Sequence, residues 1–172
     1  DDTAITIGQR INNIVHIQKQ YYFNDKRTRD TIDYIRDIVT GYIKKGYKDI
    51  LVIVEKNSIG NVYFDLLRDE LEMMENNWND AVDWRDEISL TLQTFNTTNK
   101  SKKRIVEQLC TLFEQQHIII PDDVKLLTQL SMFEAKINDL GTVKYAGANG
   151  SHDDLVMSLC ILISVLWNFS DD

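Results

Sequence analysis

Three groups of residues in this chain have the types and positions to do chemistry. Glu55 closes DILVIVE, Asp49 to Glu55, a short and almost wholly apolar run. Runs of this kind form strands buried at the centre of α/β sheets, and such sheets bind ligands beside the carboxyl ends of their strands. A carboxylate left there alone would be costly, so a cation or donor is expected beside it. The plainer alternative is a strand-terminal glutamate that reaches solvent or pairs with a lysine. The second group is His152, Asp153 and Asp154, set directly before the apolar run LVMSLCILISVLW. Aspartate is favoured at helix starts, where it accepts from free backbone amides. One acid can cap while its neighbour takes another role, with His152 as a general base or metal-orienting group. The third group is TTNKSKKR, in which Lys100, Lys102, Lys103 and Arg104 form the densest basic run. It reads either as a solvated loop and helix start or as a patch for phosphate groups. NDKRTR, around Lys26 to Arg29, is a weaker second patch.

The elements that must hold these groups are legible from periodicity. TAITIG and INNIVHIQKQYYF are rich in β-branched and aromatic residues, and GQR between them predicts the break of a hairpin. From Thr28 to Lys45 the residues Ile32, Ile35, Ile38, Val39, Tyr42 and Ile43 follow a helical period, which Gly46 stops. After KNSIG, the stretch NVYFDLLRDELEMM is helical again, and a strand is expected near Ile88 to Thr94. NTTNKSKKRIVEQLCTLFEQQ is a polar loop followed by an amphipathic helix, and HIIIP is a short strand. DDVKLLTQLSMFEAKI opens with two acids as a helix and turns extended at its end. GTVKYAG is a strand or hairpin arm, and DDLVMSLCILISVLWNF closes as a core helix. Strands alternating with crossover helices around one sheet define an α/β protein.

Composition narrows the function classes. With 172 residues, 43% hydrophobic, and a formal charge of -8, the chain is an ordinary acidic globular domain. Nucleic acid would repel it at long range, so DNA binding requires a local basic patch, a partner domain or metal ions. Cys110 and Cys160 lack metal-ligand spacing and read as reduced core residues. No signal peptide is visible, and the longest apolar run is too short for a convincing membrane span. The chain enters a strand-like pattern almost at once, as an excised domain with an upstream start would. There is no GxxxxGK[ST], CxxC, HExxH or GxSxG, and GANGS lacks the strand and helix of a dinucleotide site. Trp78, Trp84 and Trp167 read as packing residues.

Three segments, in order, carry a family resemblance. LVIVEKNSIG resembles the acidic strand and Asn-rich turn of the carboxy-terminal nuclease domain of tailed-bacteriophage terminase large subunits. TFNTTNKSKKRIVEQLCTLFEQQHIIIP resembles its lysine-containing loop, helix and strand, and GSHDDLVMSLCILI its closing His-Asp-Asp motif and helix. The match covers nearly all of the chain. It implies an RNase H-like mixed central sheet flanked by helices, forming one nuclease domain over residues 1–172.

The implied activity is metal-dependent endonucleolytic cutting of concatemeric double-stranded DNA during genome packaging. An acidic cluster would bind two Mg²⁺ or Mn²⁺ ions. Glu55 matches the second acidic position; Asp153 is favoured for the third, with Asp154 as competitor and helper and His152 beside the metal. The family's first acid lies on an opening strand. Asp1 and Asp2 resemble the end of the loop that follows it, so that strand is expected to be missing from the sequence, leaving a gap in the sheet. The resemblance also implies an ATPase domain, the portal and the small terminase subunit as partners. It places the protein in the cytoplasm of the infected bacterium, transiently at the procapsid portal, and not in a membrane. The competing readings are another RNase H-like nuclease, such as a resolvase or integrase-like domain, and a non-catalytic DNA-docking module.

Overall fold

The computed structural model describes residues 3–24, 27–56, 61–137, 139, 142–148 and 151–167. Strands β1 (Thr3–Ile11) and β2 (Ile14–Phe23) precede helix α1 (Thr28–Lys44), strand β3 (Asp49–Glu55) and helix α2 (Asn61–Asn79). A 3-10 turn (Trp84–Asp86) leads to β4 (Ser89–Phe95), α3 (Asn99–Glu114), β5 (Ile118–Ile119) and α4 (Val124–Met132). Strands β6 (Phe133–Ile137) and β7 (Val143–Gly147) then lead to α5 (Asp154–Leu166). The chain forms two compact units, one of Asp1–Asp25 with Thr97–Asp172, the other of Lys26–Asn96.

In the first unit β1 and β2 pair antiparallel, and β5 joins β2 in parallel at Val15–Ile118 and His16–Ile119. The hairpin does not turn at GQR. It turns at Asn12 and Asn13, whose φ angles of 50° and 61° are the consecutive left-handed pair of a two-residue turn. Asparagine tolerates that region, so INNI was the signal. Gly8 instead lies within β1, at a register shift. A Cβ there would stand 2.8 Å from the His16 carbonyl oxygen and 3.1 Å from Leu162 of α5, so this glycine serves close packing. Asn12→Ala is expected to lower stability by about 1 kcal/mol, the cost of holding an ordinary residue left-handed. Thermal unfolding would register it.

Helix α5 is the core of this unit and packs on β1, β2, α3 and α4. Leu155, Val156, Met157, Leu159, Cys160, Ile161 and Ile163 are all buried, so its apolar surface runs nearly all round. Burial pushes the Cys160 thiol up to about 12, which keeps it protonated and inert. Cys110, expected in the core, is exposed on α3. Trp167 is buried at the end of α5, with His117 at 5.3 Å and the Arg10 guanidinium 4.4 Å over its ring. Strands β6 and β7 make an antiparallel hairpin, with Phe133 stacked on Tyr145.

In the second unit β3 and β4 run parallel, in register from Asp49–Ser89 to Glu55–Phe95. Helix α2 packs on α1 and on β4. Its side chains also serve the backbone around β4: Asn79 both accepts from Ile88 N and donates to Ile88 O, and Glu75 accepts from Leu90 N. Glu70 of α2, 5% exposed, is neutralised by Arg29 at 3.3 Å and Arg36 at 3.5 Å, both from α1. Gly46, at φ 94°, takes the left-handed position that ends α1, as its place in the sequence predicts.

DILVIVE was expected at the buried centre of a sheet. Among the described residues β3 has only β4 beside it, its residues are half-buried or exposed, and β1 likewise has only β2. Trp84, read as a packing residue, is 74% exposed. Among the described residues no helix is long and apolar enough to cross a membrane.

Candidate functional site: the start of the closing helix

The basic run lies at the start of a helix. Helix α3 already starts at Asn99, because Thr98 and Ser101 satisfy each other's backbone amides: Thr98 Oγ1 accepts from Ser101 N at 3.1 Å, and Ser101 Oγ accepts from Thr98 N at 2.8 Å. Lys100, Lys102, Lys103 and Arg104 therefore lie on the first helical turns, and helical geometry separates them. Lys100, Lys103 and Arg104 are exposed, and Lys103 reaches Glu107 at 3.8 Å. Lys102 turns the other way.

Its ammonium meets Asp153 Oδ2 at 3.0 Å, with side chains only 22% and 25% exposed. It also stands 5.8 Å from the centre of the Phe133 ring. Asp153 occupies the N-cap position of α5, and its carbonyl accepts the first helical bond from Met157 N. Its carboxylate makes no cap hydrogen bond. That job passes to a residue that no local sequence signal singles out. Gln129, on α4 and 6% exposed, accepts from Leu155 N through Oε1 at 2.8 Å. Gln20 of β2 donates to the Leu155 carbonyl at 3.2 Å and to Thr6 Oγ1 at 2.7 Å, so both backbone groups of Leu155 are held by glutamines.

Asp154 is the first residue of α5, and His152 Nδ1 lies 3.5 Å from its Oδ2. His152 is 70% exposed. The segment carrying these residues is seated against β7. A Cβ on Gly147 would come within 2.3 Å of the Ser151 carbonyl oxygen, and Ser151 N donates to Ala148 O at 3.0 Å. A cavity of about 180 Å³, lined by Asn99, Lys102, Val143, Lys144, Tyr145 and Ala146, opens beside Lys102.

Glu55 belongs to the second unit. It ends β3 opposite Phe95, half-buried, and the chain is pinned just beyond it by Lys56 N donating to Phe95 O at 2.8 Å. The NSIG turn that follows, together with Asp1, Asp2, Lys26 and Gly150, lies outside the described residues. The described residues of neither unit gather three or more His, Cys, Asp or Glu side chains into a metal-holding group. The donor chemistry nonetheless fits a hard divalent ion: the candidate acids offer carboxylate oxygens, and Asp153 already accepts a cation, the Lys102 ammonium.

No protein-family model matches the chain, and no curated protein matches it. Its fold is RNase H-like: mixed α/β, with helices flanking strands paired in both senses. Among solved structures it is similar to the large terminase nuclease from thermophilic phage G20c, at TM-score 0.65 and 16% identity, over 95% of this chain and 82% of that one. The same nuclease with bound magnesium matches at TM-score 0.62 and 18% identity, over 95% and 82%. The Thermus phage P74-26 large terminase nuclease domain matches at TM-score 0.63 and 17% identity, over 99% and 83%. At these identities the likeness is one of fold, and it extends along nearly the whole chain.

Proposed function

We propose that this chain is the nuclease domain of a phage terminase large subunit, a metal-dependent endonuclease that cuts concatemeric double-stranded DNA during genome packaging. The observation that carries the reading is the fold shared with phage terminase nucleases over 95% of the chain. The G20c nuclease was solved with magnesium, which supports divalent metal use here. Glu55, Asp153 and Asp154 are the proposed ligands of two Mg²⁺ or Mn²⁺ ions. When bound, such ions supply a water nucleophile at neutral pH and stabilise the leaving 3′ oxygen. The protein's part is to hold its carboxylates oriented. Lys102 holds the Asp153 carboxylate at 3.0 Å, and His152 stands exposed beside Asp154.

Lys100, Lys103 and Arg104, exposed on the first turns of α3, are the proposed phosphate contacts. Such contacts position DNA without reading its sequence. Replacing Lys100 or Arg104 by alanine is expected to weaken DNA binding alike on all sequences, and to reduce the slope of log affinity against log salt by about 1 per residue. Fluorescence anisotropy across a salt series measures both. In the whole protein, an ATPase domain, the portal and the small terminase subunit would deliver the DNA, with cutting in the host cytoplasm at the procapsid portal. A plasmid-nicking assay with Mg²⁺, Mn²⁺ or EDTA tests the activity. Cleavage that persists undiminished in EDTA would exclude the metal-dependent reading, and no cleavage under any condition would favour a docking module.

A further inference from the structure

We infer that Gln129 is a positioning residue for Asp153: by capping α5 from outside, it keeps the Asp153 carboxylate off the helix start and available to a cation. The inference deepens the proposed nuclease reading and rests on it only for its catalytic consequence.

A helix start leaves amides without partners, and an aspartate at the N-cap ordinarily folds back to accept from the second or third of them. In α5 the second is Leu155 N. It is already taken, by Gln129 Oε1 at 2.8 Å, and the Asp153 carboxylate points instead to Lys102 at 3.0 Å. The acceptor is held firmly. Asp123 caps α4 by accepting from Leu126 N at 2.9 Å, Leu126 is fully buried, and Gln129 itself is 6% exposed. An amide oxygen also suits the place because it accepts the hydrogen bond without adding another negative charge near two adjacent aspartates. Leu155 N and Gln129 are thus the reason that a residue at a capping position does no capping.

Gln129→Met removes the acceptor at nearly constant volume, whereas Gln129→Glu keeps it. In Gln129→Met the Asp153 carboxylate is expected to turn back to Leu155 N and leave Lys102, seen directly in a crystal structure. Mn²⁺ affinity, read by electron paramagnetic resonance, should fall about 10- to 100-fold, the usual effect of losing a residue that orients a ligand. Gln129→Glu should leave Asp153 on Lys102. Asp153 remaining on Lys102 with unchanged Mn²⁺ affinity in Gln129→Met would overturn the inference, as would its displacement in both variants. Should Gln129→Met fail to fold, Asp153→Ala decides: the Leu155 amide should stay as protected from hydrogen exchange as in the wild type, and loss of that protection contradicts capping by Gln129. These readouts do not require cleavage. If Asp153 moves as expected but the wild-type protein cuts no DNA, the positioning role stands and the nuclease reading fails.

Discussion

Asp153→Asn is expected to lower metal-stimulated DNA cleavage by about a thousandfold or more. Asparagine keeps the shape of the side chain and can still accept from Lys102, but it loses the charge that a divalent ion requires. An ion's stabilisation of the transition state is worth several kcal/mol, and about 4 kcal/mol corresponds to a thousandfold in rate. The same loss is expected for Glu55→Gln, at the end of β3 in the other unit. Folding should survive both changes. For Asp153→Asn the charge-assisted bond to Lys102 becomes an ordinary one, a loss of no more than about 1.5–3 kcal/mol that thermal unfolding would reveal. Supercoiled plasmid, titrated with Mg²⁺ and Mn²⁺, separates weaker metal binding from slower chemistry. If both variants nick like the wild type, these acids are not the site.

Gly147→Ala is expected to cost both stability and activity, although the glycine ends a strand and carries no chemistry. Its new methyl would overlap the Ser151 carbonyl oxygen at 2.3 Å and Ser151 Oγ at 2.5 Å. The hydroxyl could rotate away; the backbone carbonyl could not, so either β7 or the segment leading to Asp153 must shift. Overpacking of this kind costs about 1–3 kcal/mol. The displacement of His152 and Asp153 adds a catalytic penalty of about 100-fold for a shift near 1 Å. Calorimetry reads the first quantity and nicking rates at saturating Mn²⁺ the second. Gly41 supplies the control, since a Cβ there would meet nothing within 4 Å. An unchanged melting temperature and rate in Gly147→Ala would mean that this contact does not hold the segment in place.

Most elements were legible because their signals are local. The period of Ile32, Ile35, Val39 and Ile43 gives α1 its buried face, and Gly46 its end. The mostly apolar run after Asp154 gives a helix buried nearly all round. One local signal was present but misread. The Asn12–Asn13 pair marks the hairpin turn better than Gly8. The resemblance implied Glu55, Asp153 and Asp154 as the acids, and the fold it implied is the fold observed.

What each candidate group faces had to come from the tertiary structure. Lys102 and Asp153 are 51 residues apart, and Gln129 and Leu155 are 26 apart. No periodicity or spacing connects such positions; they meet because α3 and α4 both pack against α5. For the same reason four cations close in sequence divide: Lys100, Lys103 and Arg104 are exposed, while Lys102 turns inward to Asp153. Local pattern therefore determines that a helix begins at Asp153 and Asp154, since backbone preference and apolar period extend over only a few residues. Whether Asp153 caps that helix depends on a competing acceptor, and the packing of α4 supplies it.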